Sequence, residues 1–467
     1  MSDLRSESER EAKVEAATGE EAVGLPTELV YRVSDALGAG QIDVAERLVE
    51  PLHAGDLADL LESLGADERK ALVKALGPHL DPEVLPYLDA WIREQVMEEL
   101  SPRDLARALS ALESDDAVEV FSDLDEDFRH RLLTGLPRGY RLLLEESLSY
   151  PEDSAGRLMK RELVAIPSAW SVGETIDYMR AAEGLPDDFY DLYLVNPKHK
   201  PVGYAPVSRV LRSKREIRVA EIAETEMHVV PLTLDQEEVA YIFRQYGLAS
   251  APVIDEAGRL VGVITVDHVV DVIDEEAEED IMKLAGVAEA DHFGDVAATA
   301  KARFAWLVVN LGTAILASVM IGFFDDTIDR VVALAVLMPI VASMGGNAGT
   351  QTLTVAVRAL AMKDLTQATA GRFVVKEVVV GAINGLLFAG LVGLVVWLWF
   401  GSRGIGLVIA AAMVVNMLAA GLFGTLIPLG LQRLSIDPAV ASSVFLTTVT
   451  DVLGFCAFLG LATLFLL

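Results

Sequence analysis

The sequence predicts a multidomain chain with an all-α superhelical region, an α/β tandem pair of small modules, a connecting helix and a five-span α-helical membrane domain. Three observations lead there. All of the formal charge of −32 lies in residues 1–303, where 63 Asp and Glu face 31 Lys and Arg, whereas residues 304–467 carry seven of each. That last third holds five apolar segments, each long enough to cross a hydrocarbon core of about 30 Å at about 1.5 Å per residue. Within the acidic part, helical periodicity gives way near residue 154 to short β-rich runs. A length of 467 residues suits about three domains rather than one small fold.

Residues 1–26, rich in Glu, Ser and Ala, read as a disordered acidic tail. They are polar where a secretory signal would be basic and then apolar, so the amino terminus is expected to stay in the cytoplasm. Residues 27–150 carry short amphipathic units beginning at Asp56, Glu68, Asp104 and Asp127. Leu57, Leu60, Leu61 and Leu64 recur at helical spacing, and units repeating at short intervals suggest stacked helical hairpins.

From about residue 154 to 274, β-rich runs at 163–166, 191–195, 228–231, 251–254 and 260–266 alternate with helical ones. The stretches from Ala169 and from Leu234 read as matching helices, each followed by two strands. Next come six acids in the seven residues Asp274–Asp280. On a helix, Asp271, Glu275, Glu278 and Glu279 would share a face and repel unless a positive charge neutralises them. A solvated connecting helix and a cation-binding one both fit.

The charge-free windows are 304–324, 331–357, 378–402, 404–432 and, interrupted at Asp451, 438–467. Lys301, Arg303, Arg358, Lys363, Arg372, Lys376 and Arg433 fall on one side, against Asp325, Asp326, Asp329, Arg330 and Arg403 on the other. The positive-inside rule then puts residues 1–303 in the cytoplasm and the carboxyl terminus outside, in the inner (cell) membrane. In the second window Pro339 precedes Gly345-Gly-Asn-Ala-Gly-Thr-Gln351, whose glycines allow either a distortion or close helix packing. Asn347, Thr350 and Gln351 are candidate pore-lining groups, as are Thr447 and Thr448 beside Asp451. A carboxylate at membrane depth is costly unless hydrated or paired, and the fifth window has no Lys or Arg. A bound cation is the simplest partner for Asp451.

Other classes are excluded by what is missing. An acidic balance disfavours nucleic acid. No phosphate-loop, His-Glu-x-x-His or Cys-x-x-Cys motif occurs, and the seven histidines are scattered, so the chain is not expected to be an enzyme. The lone Cys456 forms no disulfide framework.

Two resemblances follow. Ala251-Pro-Val-Ile-Asp-Glu-Ala-Gly-Arg-Leu-Val-Gly-Val-Ile and its upstream counterpart resemble a tandem pair of CBS domains, at 158–217 and 218–274, a ligand-sensing arrangement for which ATP is a candidate ligand. The whole order, with 275–303 as the acidic connecting helix and 304–467 as the five-helix pore domain, is similar to the MgtE family of magnesium channels. The motifs are Pro339-Ile-Val-Ala-Ser-Met-Gly-Gly-Asn-Ala-Gly-Thr-Gln, Ile427-Pro, Asp437-Pro-Ala and Thr450-Asp451, and the likeness covers 27–467. It implies a homodimer in a lipid bilayer that passes hydrated Mg2+ and is shut by cytoplasmic Mg2+. By residue matching, the pore carboxylate falls on Asp451, the entrance acid on Asp437 and the connecting-helix acids on Glu276, Glu279 and Asp280. Sensing acids fall on Asp115 and Glu119, with Asp271 beside them. Asp267-His268, Tyr246-Gly247 and Ser443-Val444 depart from the family pattern, the first two by lacking an acid. The competing reading is a membrane-anchored CBS sensor without transport, which would need neither Asp451 nor a polar break in the second span.

Overall fold

The computed structural model describes residues 24–122, 124–186, 188–287, 296–434, 436–440 and 442–467. The expected acidic tail lies outside them except for Gly24–Pro26. The chain forms two compact units that meet in sequence between Ile273 and Asp274.

The first unit begins with short helices between Thr27 and Leu148. Leu57, Leu60, Leu61 and Leu64 are all buried in one continuous core running from Val33 to Leu144. Short helices leave unsatisfied groups at their ends, and in several of these a side-chain cap meets one of them. Ser101 accepts from the Asp104 N–H, Asp89 from Trp91 and Asp125 from Asp127. Two buried arginines tie successive hairpins: Arg69 donates to the Leu61 and Leu64 carbonyls at 2.7 and 2.9 Å, and Arg93 donates to Leu88 and Pro86. Burial lowers the Arg69 pKa, with Glu62 opposing.

Two three-stranded sheets follow, with the same topology. β1 (Ala165–Pro167) runs parallel to β2 (Asp191–Val195), which is antiparallel to β3 (Pro201–Pro206). β4 (Val230–Pro231), β5 (Ser250–Ile254) and β6 (Leu260–Thr265) repeat that order, and both hairpins carry a register shift at the same place. The modules share chain: Ala155 and Met159, which precede the first sheet, pack into the core of the second, while Val219 packs into the core of the first. Tyr193 and Ser250 join the sheets through a 2.5 Å hydroxyl contact.

After β6 the helix Val266–Ala285 closes the second module and carries the acidic run. Part of the expected connecting segment, residues 288–295, lies outside the described residues, and a helix resumes at Val296. Among the described residues of the second unit five helices are long and apolar enough to cross a membrane: Thr299–Gly322, Ala333–Ala361, Ala368–Phe400, Arg403–Arg433 and Ser443–Leu466, called spans 1 to 5 here. Span 4 is the most enclosed, and glycines let its neighbours approach. A Cβ on Gly381 of span 3 would sit 2.6 Å from the Met417 carbonyl oxygen, and one on Gly406 would sit 2.8 Å from that of Gly393.

Candidate ion pathway and cation clusters

Asp451 stands midway along span 5, half-buried. No hydrogen bond or ion pair engages its carboxylate among the described residues. The hydroxyls beside it point back along their own helix. Thr447 donates to the Ser443 carbonyl at 3.0 Å, Thr448 to Val444 at 2.6 Å and Thr450 to Leu446 at 3.1 Å. Each oxygen keeps lone pairs free to accept, which suits the water shell of a cation rather than an anion.

Span 2 divides its two kinds of residue by face. It is an unbroken helix through Pro339 and the glycine-rich stretch, so close packing, not distortion, is the role of the buried glycines. A Cβ on Gly349 would lie 3.0 Å from Leu446 of span 5. The opposite side exposes Ser343, Asn347, Thr350, Gln351 and Thr354, with Asn347 donating to Ser343 at 3.4 Å. A polar stripe at three- and four-residue spacing on a lipid-depth helix requires a partner or water. Ser343 and Thr354 escaped the sequence reading, although the same spacing marks them.

At the start of the second unit, Glu276, Glu279 and Asp280 are half-buried on the connecting helix, whereas Glu275 and Glu278 are exposed. Lys283 pairs with Glu279 and, at 2.8 Å, with Asp437 of the loop before span 5. The other Asp437 oxygen accepts the Ala439 N–H at 2.8 Å. Burial pushes the Asp280 carboxyl up, helped by the Asp437 charge and opposed by Lys283. Burial alone would lower the Lys283 pKa, but Asp437 and Glu279 hold it above its ordinary value. Three of the expected site residues, Glu279, Asp280 and Asp437, thus belong to one electrostatic group, with a lysine that sequence reading did not single out.

A second cluster lies inside the first unit, where helix Ser114–Ser122 faces the start of helix Val266–Ala285. Asp115, Asp116 and His268 bring one ligand atom each within 4.8 Å of one another. His268 Nε2 is 2.9 Å from Asp115 Oδ2. Beside them Lys160 binds Glu113 and lies 3.5 Å from Asp267. Burial would lower the His268 pKa, but the Asp115 contact and charge raise it to about 9. Burial, then the Asp115 charge, pushes Asp116 up to about 7. Of the other expected sensing acids, Glu119 pairs with Arg93 at 3.1 Å and Asp271 is exposed, so neither is among the three converging groups. Gly247 has a physical reason to be glycine: it caps helix Gln236–Tyr246 in the left-handed region, at φ +62°.

Comparison with known proteins agrees with this layout. Family models match at 338–461 ("Divalent cation transporter"), 52–153 ("MgtE intracellular N domain") and 219–275 ("CBS domain"). The magnesium transporter MgtE of Thermus thermophilus is 34% identical over 450 residues, 95% of this chain and 99% of that protein. This chain belongs to the MgtE family of magnesium transporters. The Bacillus subtilis magnesium transporter MgtE is 28% identical over 94% of this chain and 98% of its own length. A crystal structure of the cytosolic domain of the Mg2+ channel MgtE in complex with ATP is 30% identical, covers 52% of this chain and 99% of its own, and has a TM-score of 0.49. As an MgtE-family chain the protein is a multi-pass membrane transporter and not an enzyme.

Two polar residues of the MgtE-family membrane domain were missed. Asn416 of span 4 is fully buried; its Nδ2 donates to the Val341 carbonyl at 2.7 Å, and its Oδ1 has no partner. A Cβ on Gly454 would fall 2.9 Å from Nδ2, so span 5 needs that glycine to pass it. Glu377, at the head of span 3, is buried beside Lys376 at 3.2 Å. A lone Asn in an apolar run was the available signal for the first; the second sits one residue outside a charge-free window.

Proposed function

We propose that the chain forms a homodimeric channel that conducts Mg2+ across the inner (cell) membrane, with residues 1–303 in the cytoplasm and the carboxyl terminus outside. The observation that carries this is Asp451, an unpaired carboxylate on a spanning helix. Two symmetry-related copies would offer two carboxylates flanked by neutral oxygens from Thr447 and Thr448. That donor set suits an ion that sheds its water reluctantly. The exposed stripe of Asn347, Thr350 and Gln351 is the surface a second copy and a water-filled path would cover. Cytoplasmic Mg2+ shuts the pore by binding at the acids of the connecting helix, Glu276, Glu279 and Asp280 with Asp437, and at the soluble acids Asp115, Glu119 and Asp271. The paired modules bind ATP as a second ligand.

Mg2+ flux into proteoliposomes, measured while internal Mg2+ is varied, tests the reading. Flux should fall as internal Mg2+ rises, and Asp451→Ala should abolish it while the protein still inserts and dimerises. Wild-type flux in that variant ends the assignment, and a membrane-anchored sensor would show none in either protein.

A further inference from the structure

The cluster of Asp115, Asp116 and His268 has the wrong donors for Mg2+ and the right ones for another class of cation. Asp115 is 4% exposed, and its Oδ1 accepts the Asp116 N–H at 3.1 Å, which turns Oδ2 towards His268. Oδ2 is buried and lies 2.9 Å from His268 Nε2. Two ligand atoms at that separation are spaced as neighbours around a common ion would be. With metal–ligand bonds of about 2.1 Å, neighbouring ligands of an octahedron are about 3.0 Å apart. The hydrogen-bonded Asp116 amide fixes the carboxylate as an outer partner fixes a metal ligand.

We propose that these three side chains form a regulatory site for a transition divalent cation, of the Mn2+, Co2+, Ni2+ or Zn2+ class, in preference to Mg2+. The proposal rests on the channel reading above and changes it at one point: Asp115, counted there among the Mg2+-binding acids, takes a transition cation where one is present, and Mg2+ closure is left to the connecting-helix acids. Charge is consistent with it: Lys160 is engaged by Glu113 and Asp267, which leaves the carboxylates of Asp115 and Asp116 to match a double positive charge. Mg2+ bonds oxygen and keeps its water, so the imidazole offers it little, whereas the transition divalent cations favour imidazole nitrogen.

The test uses the full-length protein with Mn2+ as probe and Mg2+ in large excess, so that oxygen-only sites are filled. Pulsed EPR should show one bound Mn2+ per chain with nitrogen modulation from an imidazole. Zn2+ should displace it at concentrations at least about 100-fold below those at which Mg2+ does. His268→Gln and Asp115→Asn should each lose the modulation, the second with all histidines intact. His268→Asp should still bind Mn2+, now without nitrogen modulation and displaceable by Mg2+, which shows that the variant site is folded. Asp451→Ala should keep the modulation, so failure of the transport reading is seen separately. No modulation in the wild type, its persistence in His268→Gln, or equal displacement by Mg2+ and Zn2+ overturns the proposal.

Discussion

Replacing Lys283 by Met isolates the charge that the connecting helix contributes beside the loop before span 5. Methionine keeps an unbranched stem and removes an ammonium that pairs with Glu279 and with Asp437 at 2.8 Å. The lysine side chain is 28% exposed and its partners 42% and 38%, so each pair is in the partly solvated range of about 0.2–1 kcal/mol. Two pairs together amount to roughly 0.5–2 kcal/mol, a factor of about 2 to 30 in an equilibrium constant. Without the ammonium, Glu279, Asp280 and Asp437 hold no resident cation that Mg2+ must displace, so they bind the ion more tightly and the closing midpoint moves to lower internal Mg2+ by up to that factor, while the Mg2+-free flux stays near the wild-type level. Flux into proteoliposomes across a series of internal Mg2+ concentrations reads both quantities. A variant whose closing midpoint stays within twofold of wild type refutes the reasoning, and a double-mutant cycle with Asp437→Asn assigns the coupling to this pair.

Gly381→Ala forces a methyl against the Met417 carbonyl at 2.6 Å, so spans 3 and 4 must separate; thermal unfolding in detergent should show a loss of about 1–3 kcal/mol. Asn416→Leu enlarges a side chain already against Gly454 and removes the bond to Val341, so transport should drop together with stability, whereas Asn416→Asp should cost more stability than transport measured at equal protein in the membrane. In EDTA the soluble region should lose stability as pH rises from about 6.5 through 9, because the folded state holds the His268 proton more tightly than the unfolded chain does; the charges facing that imidazole are Asp115, Asp116, Asp267 and Lys160, and a melting temperature that rises over this window contradicts the assignment. Gly247→Asp places a side chain at φ +62°, so it should destabilise the second module by about 1 kcal/mol whatever it does to Mg2+ sensing.

Periodicity and charge made the architecture legible. The stripe of Leu57, Leu60, Leu61 and Leu64, the run at 191–195 and the five apolar windows each became the expected element, because apolar spacing reports directly which face is buried. β3 at Pro201–Pro206 was read only as an unspecified second strand, since Pro and Gly dilute the β signal. Site residues were legible by type: Asp451 and the Asn347–Gln351 group stand out against lipid-compatible neighbours. What stayed hidden was convergence. Lys160 and Asp115 are 45 residues apart, and Lys283 and Asp437 are 154 apart, so no local pattern shows that a base meets those acids. Burial alone would lower the His268 pKa; the Asp115 carboxylate that raises it, far from His268 in sequence, was hidden for the same reason.

The two clusters share a design. Each gathers acids that would repel when bare, and each supplies a tethered cation: Lys160 with Glu113 and Asp267, and Lys283 with Glu279 and Asp437. A side chain on a short tether acts as a ligand at an effective concentration of about millimolar or above. A free divalent ion must therefore outcompete a resident monovalent one. It can, because it brings twice the charge, but only when its concentration approaches that of the tether. On the gating proposed above, an acidic connecting helix with no internal cation would respond to the first trace of Mg2+, and Lys283 inside its acid cluster moves that response to higher Mg2+.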